Sequence, residues 1–238
     1  MTQRLQLGTI EVDVVFKNIK NVHLSVNPPT GRVRIAAPTR MKLDTVRVFA
    51  ISKLEWIKRQ RRRFERQHRE TAREYLSGES HFLWGKRYLL KVIATDAPSQ
   101  VTLQHRHIVL QVREGATFEK RKAVLDAWYR SKLKEAATAR ITHWQGILRV
   151  QPNRLFVQSM KTRWGSCNTV TGNIRLNAEL AKKPAECLEY LVVHELLHLI
   201  ERRHNDRFHG LLDRHMPGWK SVRDALNGSS LAHAEWEY

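Results

Sequence analysis

The sequence predicts an α+β protein: a β-rich amino-terminal region with one long helix, then a carboxy-terminal domain in which a helix bearing His-Glu-x-x-His lies beside a small sheet. Three observations lead there. Residues 1–115 carry short alternating runs divided by Gly, Pro and Asn turn signals. From Thr117 the apolar period becomes helical. Residues 194–198 then read His-Glu-Leu-Leu-His within an apolar stretch. Gly115 marks the division, giving regions 1–115 and 116–238.

In chain order, Ile10 to Val14 and Val22 to Val26 alternate apolar and polar residues, the period of half-buried strands. Pro28-Pro29-Thr30-Gly31 turns the chain into Val33-Arg34-Ile35, so an antiparallel β unit is expected. Asp44 is placed to cap a helix whose apolar face runs through Val46, Phe49, Ala50, Leu54 and Ile57 into the basic run Lys58 to Arg66. Phe82 to Val92, Gln100 to Leu103 and His107 to Val112 read as further strands. A long helix then passes through Ala123, Val124, Ala127, Trp128, Leu133 and Ala136. Leu155 to Val157 and Asn173 to Asn177 read as paired strands around the turn Asn168 to Gly172, and Pro184 opens the helix that carries the histidines. No sequence repeat or low-complexity segment interrupts this order.

Composition narrows the class. At 238 residues, 42% hydrophobic and 27% charged, the chain can bury a core, and it has no run approaching the ~20 apolar residues that span a bilayer. The amino terminus has no apolar signal region. Cys167 and Cys187 are the only cysteines, too few for a disulfide framework and read as free thiols. A cytoplasmic protein with no membrane partner is therefore expected. Forty-two Lys and Arg against 23 Asp and Glu give a formal charge of +19, which makes DNA or another polyanion a candidate partner. Arg59, Arg61, Arg62 and Arg63 are the candidate contacts, with a solvated helix face as the alternative.

The richest segment is 194–204. On a helix, residues four apart share a face, so His194 and His198 can direct imidazole nitrogens to one metal ion. Glu195 lies about 100° round the helix, flanking that ion as a candidate general base. A catalytic zinc takes three protein ligands and keeps a fourth position open, and His204 is the candidate third ligand, with His209 and His215 as alternatives. A core helix that happens to carry histidines would leave polar groups buried without partners. A structural zinc would want Cys187, almost two turns upstream of His194.

Thr162-Arg163-Trp164-Gly165-Ser166-Cys167, Asn173 to Asn177, Glu189 to His198 and Asn205 to Phe208 together resemble the YgjP-like (SprT-like) zinc-dependent metallopeptidases. The resemblance covers most of the chain, including Trp56-Ile57 and Leu83 to Tyr88. It implies a zincin-like metallopeptidase domain, one zinc ion held by His194, His198 and His204, Glu195 as catalytic acid/base, and a protein or peptide substrate. The third ligand is flanked here by Arg203 and Asn205, where the family often has Asn and Ser. Metzincins share the ligand spacing but carry a Gly where Glu201 stands, so a different turn is expected.

Zinc peptidases commonly hold substrate as an added strand, and Asn173 to Asn177 is the expected edge for it. Trp164, Asn173, Arg175 and Asn177 are therefore candidate substrate contacts, with packing the first reading of Trp164. Gly165 is read as serving backbone geometry, and Cys167 as a small buried residue or a thiolate that regulates the metal. Arg175, Tyr190 and Arg214 are candidate oxyanion donors. A protease acting at DNA, as the more distantly similar crosslink-repair enzymes do, and a polyanion-binding protein with a structural metal are the alternative functions.

Overall fold

The computed structural model describes residues 2–27, 31–66, 73–160 and 163–228, so the turn expected at Pro28 to Thr30 lies outside the described residues. The chain divides into two compact units, Met1–Arg69 and Glu70–Tyr238. That division falls well before the 115/116 boundary read from the sequence.

The first unit is a four-stranded sheet with two helices. Strands β1 (Thr2–Leu7), β2 (Ile10–Lys17), β3 (His23–Asn27) and β4 (Arg32–Pro38) lie in the order β1-β2-β4-β3. The outer pairs are antiparallel and the central pair β2–β4 is parallel, so the sheet is mixed and not the expected antiparallel unit. Alternation explains its buried face: Leu5, Leu7, Ile10, Val12, Val14, Val33 and Ile35 all point into one core. The expected single helix is two, α1 (Leu43–Ser52) and α2 (Leu54–Arg66). Ser52 Oγ donates to the Phe49 carbonyl at 2.8 Å, occupying the acceptor that Lys53 N–H would use, and Lys53 N–H turns to Ala50 O instead. Asp44 sits in the first turn of α1 without capping it. Val46, Ala50 and Ile57 nevertheless bury the expected face.

The second unit begins with the same strand arrangement. Strands β5 (Ser80–Leu83), β6 (Lys86–Ala94), β7 (Gln100–Gln104) and β8 (His107–Val112) lie in the order β5-β6-β8-β7, again with a parallel central pair. Helix α3 (Phe118–Leu148) is capped by Thr117 Oγ1 on Lys120 N–H and ends at Arg149, whose φ of 53° is left-handed. It buries Leu125, Tyr129, Leu133, Ala137 and Ile141 at four-residue spacing, while Ala123 and Ala127 of the expected stripe are exposed.

A three-stranded sheet follows: β9 (Leu155–Gln158), β10 (Gly165–Asn168) and β11 (Asn173–Asn177), in the order β10-β11-β9. The hairpin around residues 169–172 joins β10 to β11, and β9 runs parallel to β11 on its other side. A 3-10 turn (Ala178–Lys182) leads into α4 (Ala185–Leu197), α5 (Asp206–His215) and α6 (Trp219–Gly228). None of the described helices is long and apolar enough to cross a membrane.

Leu83, Leu90, Ile108 and Leu110 of the second sheet share one hydrophobic core with α3, β11 and α4, which is why these strands belong with the histidine helix. Helix α4 runs through this core, with Cys187, Leu188, Tyr190 to Val193, Leu196 and Leu197 all buried, the signature of a helix covered on nearly every side. Its start is fixed by the β5–β6 turn, where Trp84 (φ 50°) and Gly85 (φ 77°) are both left-handed and Trp84 N–H donates to Ala181 O at 2.8 Å. A Cβ on Gly85 would lie 3.1 Å from Pro184 Cα, at the cap of α4. Gly85→Ala is therefore expected to lower stability by about 1–2 kcal/mol from backbone strain alone, read as a reduced urea midpoint; an unchanged midpoint would contradict this packing.

Candidate metal centre

His194 and Glu195 lie in the last turn of α4, and His198 is its C-cap residue. The chain then turns back: Glu201 N–H donates to Leu197 O at 2.8 Å, and the Glu201 carboxylate accepts from Arg203 N–H at 3.2 Å. Glu201 thus organises the bend without the left-handed backbone that a glycine would permit. Asn205 caps α5 by accepting from Phe208 N–H at 3.0 Å, which sets His204 immediately ahead of that helix. His204 and the cap residue are adjacent in sequence, so the cap that starts α5 also places the third imidazole.

The three imidazoles converge. His204 Nε2 lies 3.1 Å from His194 Nε2 and 3.1 Å from His198 Nε2. Zinc–nitrogen bonds of about 2.0–2.1 Å in a tetrahedron would put such atoms about 3.3 Å apart, so the set fits that ion. The outer nitrogens support this assignment. His198 Nδ1 lies 3.2 Å from Glu201 O and donates there, which leaves Nε2 with a free lone pair; His194 Nδ1 lies 3.4 Å from Tyr190 Oη. Burial first, then the neighbouring His198 and His204, pushes His194 down to about 3, so it stays neutral and available as a ligand. Among the described residues the cluster holds three histidines and no Cys or carboxylate. That leaves room for a non-protein ligand.

Aromatic rings support the triad. Phe208, fully buried, lies beneath all three imidazoles with centroids 4.8–5.0 Å away. Tyr190 is buried behind His194 and stacks on Trp219, which also stacks on His209 and donates through Nε1 to Asp213 at 2.8 Å. His209 therefore belongs to this outer packing, and His215 meets Trp144 edge-on; neither joins the triad. Tyr190 meets His194 Nδ1 from behind and does not line the cleft, and Arg214 does not line it either.

Glu195 is 4% exposed and lies against β10. Burial raises its carboxyl to about 8, opposed by the Arg163 guanidinium and by a hydrogen bond from the Cys167 backbone N–H. Gly165 makes this approach possible: a Cβ there would sit 2.7 Å from Glu195 Oε1 and 3.1 Å from Leu191 Cδ2. The sequence shows Gly165 only as a backbone residue, because its contact with Glu195 crosses thirty positions. Cys167 is half-buried, and burial together with Glu195 pushes its thiol up to about 11, so it is a neutral thiol and not a thiolate at neutral pH.

These residues floor a cleft of about 720 Å³ that is also lined by Ser166, Asn168, Arg163, Arg175 and Arg202. The expected substrate edge is corrected here. Strand β11 is central, its backbone shared by β10 and β9, so Asn173 to Asn177 cannot accept a further strand; of the two edge strands, β10 lines the cleft. Of the candidate contacts only Arg175 reaches the cleft. Trp164 packs in the core beneath Lys183, and Asn173 pairs with Asn168 in the hairpin. Asn177 is fully buried, donating to Met160 O (2.8 Å) and Arg163 O (3.0 Å), so it holds the segment entering β10. Arg163 and Arg202 are cleft residues that spacing alone does not disclose.

The basic run lies in the first unit on α2. Arg59 and Arg62 are exposed, whereas Arg61 is half-buried with its stem against Gly31; the Arg63 side chain lies outside the described residues. Gly165→Ala supplies a test of the site. Its Cβ must displace a buried carboxylate, so stability is expected to fall by about 1–3 kcal/mol, while metal uptake by the three histidines, followed by elemental analysis, is unchanged. Stability equal to the parent would show that Glu195 is not held beneath β10.

The crystal structure of the metallopeptidase zymogen of Pyrococcus abyssi abylysin matches with 22% identity and a TM-score of 0.36, over 38% of this chain and 90% of that one. The zymogen of Methanocaldococcus jannaschii jannalysin matches with 19% identity and a TM-score of 0.35, over 38% and 92%. No curated protein matches the sequence. The model of the YgjP-like metallopeptidase domain matches residues 20–229, nearly the whole chain, and on that ground the chain belongs to the YgjP-like metallopeptidase family.

Proposed function

We propose that this protein is a zinc-dependent peptidase, with one zinc ion per chain held by His194, His198 and His204 and with a zincin-like domain formed around α4. The observation that carries this reading is the convergence of three neutral imidazoles, two on α4 and one just ahead of α5, beside a buried glutamate on the floor of an open cleft. A zinc ion bound there supplies Lewis-acid activation of water and polarises a peptide carbonyl. Glu195 accepts the proton of the attacking water and returns it to the leaving nitrogen. The carbonyl carbon gains the oxygen, the C–N bond breaks, and nitrogen gains the proton. A carboxyl held near neutrality suits this exchange, since it must both take and give. Arg163 and Arg175, which line the cleft, are the candidate donors to the developing oxyanion. The free edge of β10 is the candidate for pairing with an extended substrate.

A second reading adds a nucleic-acid contact to the peptidase. The charge of +19, with Arg59 and Arg62 exposed on α2, favours it. If it holds, binding to a DNA duplex weakens steeply as salt rises, and Arg59→Gln with Arg62→Gln flattens that dependence by about two in slope; binding that is absent or indifferent to salt dismisses it.

For the peptidase, the measurement is zinc content beside cleavage of an unfolded protein. The parent is expected to hold about one zinc per chain. His204→Ala loses most of it. Glu195→Gln retains the zinc and lowers cleavage by about 10²–10⁴-fold, and Gly165→Ala lowers cleavage in the same direction. Tightly bound zinc with no hydrolysis of any unfolded protein, by parent or variants, would overturn the enzymatic reading in favour of a structural metal.

A further inference from the structure

We infer that the cleft selects acidic peptides, binding carboxylate side chains on either side of the reacting bond through Arg163, Arg175 and Arg202. The inference rests on the peptidase reading for what is cut, and on the cleft alone for its charge. The three guanidinium groups come from three separate elements: the segment entering β10, strand β11, and the turn after α4. They line the same cleft as the histidine triad, where Glu195 is the only acidic lining residue and is itself buried.

Neither Arg175 nor Arg202 forms an ion pair with a carboxylate among the described residues, and Arg163 faces only the buried Glu195. Elsewhere, Arg4, Arg32, Arg140 and Arg207 each pair with an Asp or Glu. A concave surface concentrates the field of unpaired charges, so their cost is relieved by a ligand that brings carboxylates. Oxyanion stabilisation does not account for the set, because Arg202 remains beyond the two candidate donors, Arg163 and Arg175. Arg175 is also held in place, half-buried with its guanidinium 5.5 Å from the Phe156 ring centroid, so less side-chain freedom is lost on binding.

A peptide fits this cleft better than a nucleic acid. The edge of β10 offers backbone groups that pair with an extended chain but not with a phosphodiester backbone, and a cleft of about 720 Å³ admits a few residues while a duplex presents its phosphates on a convex surface.

The test uses the full chain, zinc-loaded and carrying Glu195→Gln, so that binding is read without turnover. Fluorescence anisotropy compares three labelled ten-residue peptides that differ only in the residues flanking a central Ala-Ala pair: Glu, Gln or Lys. We expect the Glu peptide to bind at least about tenfold more tightly than its Gln isostere and the Lys peptide most weakly. Arg175→Gln with Arg202→Gln should reduce the Glu preference below about threefold at unchanged zinc content. Arg202→Glu, a change at an exposed position, should reduce it as well should the double variant fold poorly. Equal binding of Glu and Gln peptides, or a preference that survives both sets of substitutions, overturns the inference. So does a single-stranded oligonucleotide of equal charge that competes as well as the Glu peptide and loses its binding in the same variants. The parent, incubated with the same peptides and with unfolded proteins, separates the two readings: a Glu preference in binding without hydrolysis of any of them upholds the acidic cleft and contradicts the peptidase.

Discussion

Burial of α4 on nearly every side is the constraint on which the site depends. A helix that packs against α3, α5, α6 and β10 at once has no freedom to rotate or slide, so the residues it turns toward the cleft are fixed to within the tolerance of a packed core. His194, Glu195 and His198 occupy that one open sector. Leu191, Leu196 and Leu197 next to them are apolar because they hold the helix, and the alternation of apolar and functional residues along 190–198 records this division of labour. Buttresses outside the helix serve the same end: Glu189 pairs with Arg140 on α3 at 2.7 Å, and Pro184 rests against the β5–β6 turn.

Around this rod the chain brings in what the helix cannot supply. The bend organised by Glu201 and the Asn205 cap returns His204 to the helix end, and Phe208 slides beneath the three rings. From the other side β10 covers Glu195 through a glycine, with the Cys167 backbone N–H on its carboxylate. The same strand is an edge of its sheet. One short strand therefore holds the proposed base and borders the space where an extended chain would lie, and position 165 has no room for a side chain on its inner face.

What could be read from the sequence follows the range of each interaction. His194, Glu195 and His198 are legible because their relation is helical and local, and His204 because only a short bend separates it from them. The face of α1 and α2 is legible for the same reason, although the break at Ser52 is not, since it turns on one hydroxyl choosing a carbonyl. Strand order is not local. The three strands near the site read as a simple pair, so β11 was expected at the edge, and only the parallel docking of β9 makes it central. Gly165, Arg163 and Arg202 escape a reading of spacing because each meets the site through contacts between distant segments. The division at 69/70 is hidden likewise: strands β5–β8 look like more of the amino-terminal region, yet Leu83, Leu90, Ile108 and Leu110 complete the core that holds α4.

The proposed zinc site is open, three imidazoles with no fourth protein ligand. Zinc-edge X-ray absorption fine structure on the zinc-loaded chain tests it most directly. The expected first shell is nitrogen and oxygen alone at about 2.0–2.1 Å, with outer-shell scattering from three imidazoles. A sulfur scatterer at about 2.3 Å, which would place Cys167 on the metal, or a fourth imidazole would contradict it.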